Sequence, residues 1–170
     1  FGGDGRDRAT LRDLLTHSSG VPAYWRPGEG GEDVPPDERR SYMVGQICGL
    51  PLQYAPGEGA EYSCLGFILL ASVVEAAAGR PLSDLARERV FEPLGMADTC
   101  FCPPQEIVER CAATERLPAG TLQGVVHDEN ARYLGGVGGN AGLFSTAADL
   151  ARFARAMLNG GKLDGERILR

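Results

Sequence analysis

The densest run of groups able to move protons is His127-Asp128-Glu129-Asn130. A histidine beside carboxylates has the makings of a general base, because imidazole gains and loses a proton near neutral pH. The same four residues also suit a surface turn whose Asp and Asn side chains satisfy nearby backbone groups, and taken alone they favour that plainer reading. The other histidine, His17, follows a helix end, where its ring can meet the last carbonyls. Tyr62 and Cys64 stand two residues apart at the head of an apolar stretch. On residue type alone Tyr62 reads as a buried tyrosine at a helix start. Cys64 would be a nucleophile if His17 or His127 served it as base, but nothing in the spacing brings those groups together.

The sequence excludes several familiar chemistries. No G-x-S-x-G is present, so there is no nucleophile elbow of the α/β-hydrolase kind, and there is neither a P-loop nor an H-E-x-x-H. Gly136-Val137-Gly138-Gly139-Asn140-Ala141 fits the outline of a dinucleotide fingerprint, but a largely polar segment precedes it and no βαβ unit surrounds it. It reads as a ligand-hugging or flexible loop. Five cysteines, an odd number at irregular spacing, fit reduced thiols better than a disulfide framework. Cys100 and Cys102 are too close for a zinc pair, and with two histidines in the chain no metal site and no cofactor is expected.

The elements that would carry these residues are mostly helices. Thr10 with Asp13 forms a capping pair ahead of Leu11, Leu14 and Leu15, and a second helix is predicted over residues 38–48. A third runs from about Tyr62 to Ala78, closed by Gly79 and Pro81, with apolar residues on every side that imply burial all round. Ser83 is read as the cap of a short helix ending at Val90, and residues 105–111 as another. The clearest helix spans residues 147–159, capped by Thr146 and Asp149. Its Leu150, Phe153, Ala154, Met157 and Leu158 repeat at the spacing of one buried face. Strand signals are confined to residues 121–126 and 143–145, and a Gly/Pro/acid-rich loop spans residues 27–36.

Composition narrows the partners. The chain has 170 residues, 43% hydrophobic and 24% charged, which suits one soluble globular unit with a real core. A net charge of −6 and scattered arginines exclude a nucleic-acid surface, with Arg39-Arg40 read as a solvated helix face. No stretch approaches the roughly 20 apolar residues of a membrane span. Lys162 is the only lysine.

Four separated segments then resemble one family, in its order. Leu14-Leu15-Thr16-His17-Ser18-Ser19-Gly20 is similar to an L-L-T-H-x-S-G segment, and Tyr62-Ser63-Cys64 to a Y-x-N element. Phe91-Glu92-Pro93-Leu94-Gly95-Met96 is similar to a P-L-G-M turn, and Gly142-Leu143-Phe144-Ser145-Thr146-Ala147 to the start of a G-L-F-S-T-A-x-D-L helix. Val126 to Ala131, with its His127-Asp128-Glu129-Asn130 core, also recurs in one branch. The chain thus resembles the serine β-lactamase and penicillin-binding protein (DD-peptidase) family, in its class C β-lactamase-like form.

The resemblance implies an α+β fold in which this chain supplies mostly the helical subdomain with a few short strands. It implies a serine that is activated by a lysine in S-x-x-K, attacks a carbonyl and forms an acyl-enzyme that water releases. It makes Tyr62 the catalytic proton shuttle, and puts Cys64 and Asn140 at substrate-binding positions. Cys64 departs from the family's Asn or Asp, and a thiol is a weak partner for lysine or amide, which puts β-lactam or peptide processing in doubt more than ester hydrolysis. Asn140 stands where that branch often has His. With Lys162 alone, residues 1–170 hold no S-x-x-K. The expectation is a partial domain, cut at both ends, with S-x-x-K before Phe1 and a K/H-x-G strand after Arg170. Its substrate would be a small ester, a β-lactam or a peptidoglycan peptide. The alternative is a catalytically silent, penicillin-binding-like recognition module. Unpaired cysteines favour a cytoplasmic compartment, whereas such relatives are often exported.

Overall fold

In the computed structural model, residue 3, residues 5–26 and residues 31–169 are described. The Gly/Pro/acid-rich loop predicted over 27–36 therefore lies partly outside the described residues. Among the described residues there are six helices and three small antiparallel strand pairs, with 3-10 turns at Arg6–Arg8 and Gln105–Arg110. The α+β expectation, mostly helical with a few short strands, matches this architecture.

The first core cluster is built by α1 (Leu11–Leu15), α2 (Arg39–Gly49) and α3 (Cys64–Ala78), which bury Leu14, Met43, Ile47, Leu65, Ile68 and Leu69 together. The predicted capping pair starts α1: the Thr10 hydroxyl accepts from the Asp13 N–H, and the Asp13 carboxylate accepts from the Thr10 N–H at 2.8 Å. α3 begins one residue past its cap, Ser63, and ends on Gly79, whose left-handed backbone (φ 64°) suits a residue without Cβ. Burial all round fails for its second half, where Val73 and Val74 are exposed. Arg39-Arg40 is no solvated face either. Arg39 lies over the Tyr133 ring, and Arg40 pairs with Glu75 of α3 at 3.1 Å.

α4 (Leu82–Ala86) runs on through one π-type turn to Phe91. Ser83 does not cap it. The α4 N-terminus follows Pro81, and the Leu82 N–H is taken instead by the Glu75 carboxylate at 2.8 Å. Phe91, Leu94 and Met96 then form a second cluster with Ala156 of α6 (Ala147–Leu158) and Leu163.

The buried face of α6 is not the apolar stripe that its periodicity predicts. Leu150 is 53% and Leu158 86% exposed, and Phe153 is exposed as well. The helix is anchored by a polar row instead. Buried Asp149 accepts from the Asp98 N–H (2.9 Å) and the Thr99 hydroxyl (2.7 Å), and Arg152 donates to the Leu94 carbonyl. Asp149, Arg152 and Ala156 lie on one side at spacings of three and four, so satisfying a buried carboxylate sets the rotation of the helix.

The strands are shorter than expected. β1 (Cys100–Phe101) pairs with β4 (Leu143–Phe144), inside the predicted 143–145 segment. β2 (Ala113–Leu117) and β3 (Gly120–Gln123) form a hairpin with a register shift near Thr114, and β5 (Lys162–Leu163) pairs with β6 (Glu166–Arg167). The remaining helix, α5 (Glu129–Tyr133), sits between the β2–β3 hairpin and the glycine-rich loop. A helix where a dinucleotide fold requires a strand removes the nucleotide reading of Gly136 to Ala141.

Candidate active site

The N-terminus of α3 is the point at which chemistry-bearing side chains converge. The Ser63 hydroxyl accepts the Gly66 N–H (3.1 Å) and donates to the Pro22 carbonyl (2.7 Å), and the Cys64 N–H donates to the Ala23 carbonyl (3.0 Å). The start of the helix is thereby tied to the segment that follows α1. With the cap role taken by Ser63, Tyr62 is free to point outward, and it is 64% exposed. It is therefore not the buried helix-start tyrosine that its residue type suggests.

The Tyr62 ring packs on the His17 imidazole, with centroids 4.8 Å apart, and the Cys64 thiol donates to its phenol oxygen at 3.6 Å. The phenol is held above the ordinary tyrosine value of 10. The Cys64 sulfur is the largest cause, first through its hydrogen bond with the phenol and then through its electrostatic influence. Partial burial and then the Asp128 carboxylate add to it. Tyr62 is accordingly a protonated phenol at neutral pH, able to donate a proton and unable to take one until a cation approaches.

Asp128 reaches this point from the other side. It caps α5, its Oδ1 accepting from the Ala131 N–H at 2.7 Å, and the same oxygen accepts from Asn140 Nδ2 at 3.0 Å. Asn140 is carried there by the glycine loop, which lies directly on α3. A Cβ on Gly139 would fall 2.0 Å from the Phe67 carbonyl oxygen and 2.8 Å from the Ala71 Cβ, so only glycine lets the two backbones meet. Arg40 holds the loop's other end by donating to the Val137 carbonyl at 2.8 Å. Behind Asp128, Asn130 is fully buried, and neither atom of its amide has a hydrogen-bond partner among the described residues.

A second tyrosine shares these acids. Tyr24 donates its hydroxyl to Glu129 at 2.6 Å, and its phenol is pushed up to about 12, first by burial, then by the bond to Glu129 and its charge, and then by the charge of Asp128. Tyr62 and Cys64 are thus in direct contact, whereas Asn140 bonds to Asp128, whose charge alone reaches the Tyr62 phenol. Tyr24 had no signal as a site residue in the sequence, because 105 positions separate it from Glu129 and only the packing of α5 closes that gap.

His127 goes elsewhere. It lines a cavity of about 630 Å3 with Asp98, Arg110, Cys111, Ser145 and Thr146, which Tyr62 and Cys64 do not line. Of the surface-turn reading of its run, only the Asp128 bond to a backbone N–H is met, and that as the cap of α5. Asn130 is buried in the helix, with its side-chain amide unpaired among the described residues. The Cys64 thiol contacts Tyr62, and of the two histidines His17 is the one that packs on that tyrosine. Among the described residues no group of three or more His, Cys, Asp or Glu is placed to hold a metal ion. No single helix among them is long and apolar enough to cross a membrane.

Known proteins with this sequence and fold agree on its kinship. The family model described as Beta-lactamase matches residues 1–170. An Escherichia coli K12 protein, provisionally named D-alanyl-D-alanine carboxypeptidase, is 36% identical over 178 residues, covering 92% of this chain and 40% of its own length. The N-acetylmuramyl-L-alanine amidase of Bacillus subtilis is 34% identical over 176 residues, again covering 92% of this chain and 40% of the relative. The chain thus spans about two fifths of the length of these relatives. Among solved structures, the D-amino acid amidase of Ochrobactrum anthropi SV3 superposes with a TM-score of 0.67 at 25% identity, over 95% of this chain and 45% of its own. With the motifs, the fold and the match along its whole length in agreement, the chain belongs to the beta-lactamase family.

Proposed function

We propose that residues 1–170 are the tyrosine-bearing part of a serine acyl-hydrolase domain that works through an acyl-enzyme, with Tyr62 as its proton shuttle. The observation that carries this is the exposed Tyr62 phenol at the head of a buried helix, with Cys64, His17 and Asp128 around it. In this reading the serine and lysine of S-x-x-K come from a segment outside residues 1–170, since Lys162 is the only lysine in them and Asn159 stands three residues before it. The lysine would supply the cation that the phenol lacks here, offsetting the upward push of Cys64 and Asp128 and letting Tyr62 exchange a proton with serine and leaving group.

Relatives named carboxypeptidase and amidase favour an acyl substrate of the peptide or amide type. Cys64, with no amide to offer the substrate, argues that simple esters are accepted too. Cys64 and Asn140 would line the substrate side of Tyr62, Asn140 with one amide edge engaged by Asp128. The catalytically silent recognition module is the second reading, and the lack of any S-x-x-K within residues 1–170 is what favours it.

The test is hydrolysis of p-nitrophenyl acetate and of a D-alanyl-D-alanine peptide by the polypeptide that joins residues 1–170 to an S-x-x-K segment. Removing a general acid–base group costs about 10²- to 10⁴-fold in rate. Tyr62→Phe should therefore lower kcat by that much with folding intact. Full activity in Tyr62→Phe would refute the shuttle, and no turnover of either substrate by the joined polypeptide would leave the silent module.

A further inference from the structure

We infer that His17 is the positioning residue for Tyr62, gripping the backbone on both sides of the tyrosine while its imidazole supports the phenol ring. The inference rests on the proposed role of Tyr62 and names the group that sets its place.

The grip has two ends. Ahead of Tyr62, the Glu61 N–H donates to the His17 carbonyl at 3.0 Å; after it, the Ser63 N–H donates to His17 Nδ1 at 3.1 Å. Tyr54 reinforces the first end, donating its hydroxyl to the same carbonyl (3.0 Å) and accepting from the Glu61 N–H (2.9 Å). Between the two ends the imidazole lies against Tyr62 (4.8 Å, 41° between planes), with the Phe67 ring of α3 also against it (5.1 Å, 37°). One residue can turn both its carbonyl and its side chain towards the 61–63 segment because its backbone is left-handed, φ 58°. A residue with a Cβ seldom adopts that conformation unless its surroundings enforce it.

The arrangement does more than fasten α1 to α3. The helix start is already held by the Ser63 hydroxyl on the Pro22 carbonyl, by the Cys64 N–H on the Ala23 carbonyl, and by Leu14 and Leu65 in the core. What those contacts leave loose is the Tyr62 side chain, which is largely exposed and otherwise meets the Cys64 thiol. Catalytic groups lose rate steeply when displaced by an ångström, so an exposed phenol needs a wall, and His17 provides it. Acceptance by Nδ1 also fixes the tautomer, a neutral ring with its proton on Nε2.

The test uses isotope-labelled chain 1–170 and three NMR readouts. Long-range proton–nitrogen spectra should show Nδ1 of His17 without a proton. In His17→Ala the Tyr62 ring signals should shift, and its phenol titration should fall towards the ordinary tyrosine value as the ring leaves Cys64 and Asp128. Amide exchange along α3 should stay slow. His17→Asn, which tolerates the left-handed backbone and offers Oδ1 where Nδ1 stood, should restore slow exchange of the Ser63 amide and part of the phenol shift. A proton on Nδ1, or unchanged Tyr62 ring shifts and titration in His17→Ala, would overturn the inference. Should His17→Ala fail to fold, the wild-type tautomer and the His17→Asn spectra decide alone. None of these signals depends on turnover, so a failed shuttle role for Tyr62 would show in hydrolysis and leave them unchanged.

Discussion

Cys64 and Asp128 both push the Tyr62 phenol upward, and the thiol is the larger influence. Cys64→Ala should therefore bring the phenol down towards about 10, the unperturbed tyrosine value. Tyrosine-selective NMR titration of chain 1–170 would read that fall, and an unmoved phenol would mean that the sulfur does not act on it. Asp128 combines helix capping with the anchoring of Asn140. Asp128→Ala should cost about 0.5–2 kcal/mol as a lost cap, measured by urea unfolding, and free the Asn140 side chain. At this scale the sequence was informative where a motif carries a local geometry, as Tyr62-Ser63-Cys64 does at the head of α3. It was silent on Tyr24 and on His17's contact with Tyr62, because hydrogen bonds between residues 17 and 63 or 24 and 129 are products of tertiary packing.

The helices place these residues, and their ends were the most legible features, since capping is local chemistry. Thr10 with Asp13 and Thr146 with Asp149 both cap as their spacing predicts. Asp13 is held below its ordinary 3.8 by the Thr10 hydroxyl first, then by the Thr10 N–H and Ser18. A carboxylate lowered on folding stabilises above its unfolded pKa, and that contribution is lost as pH falls through the lowered value. Acid unfolding should thus be milder in Thr10→Ala, which itself costs about 1 kcal/mol at neutral pH. The glycine loop depends on contact with α3. Gly139→Ala would drive a methyl into the Phe67 carbonyl, so a loss of about 1–3 kcal/mol in thermal unfolding is expected. Periodicity misjudged α6 because a hydrophobic stripe records what a helix can bury, whereas the Asp149 and Arg152 hydrogen bonds decide what this one does bury here. Ser83 misled for the same reason, its cap role being taken by Glu75 seven residues before Leu82.

Across the whole molecule, the exposed stripe of Leu150, Phe153 and Leu158 on α6 fits the proposal that residues 1–170 are part of a larger hydrolase domain. Large apolar residues along one helix face suit a covering partner element better than water. Leu150→Lys with Leu158→Lys should leave the unfolding free energy of chain 1–170 within about 0.5 kcal/mol of wild type while reducing its binding of a hydrophobic dye. In the polypeptide joined to an S-x-x-K segment, the same pair should destabilise. Family membership was legible in the sequence because four motifs in order survive the loss of context, whereas the division of labour within the site depends on elements meeting in space. The most direct test of that division is intact-mass spectrometry after incubation with a fluorophosphonate and, separately, a penicillin. Chain 1–170 should keep its mass, and the polypeptide joined to an S-x-x-K segment should gain one adduct on the serine of that segment. An adduct on any residue of 1–170 would contradict the account and identify a nucleophile within this chain.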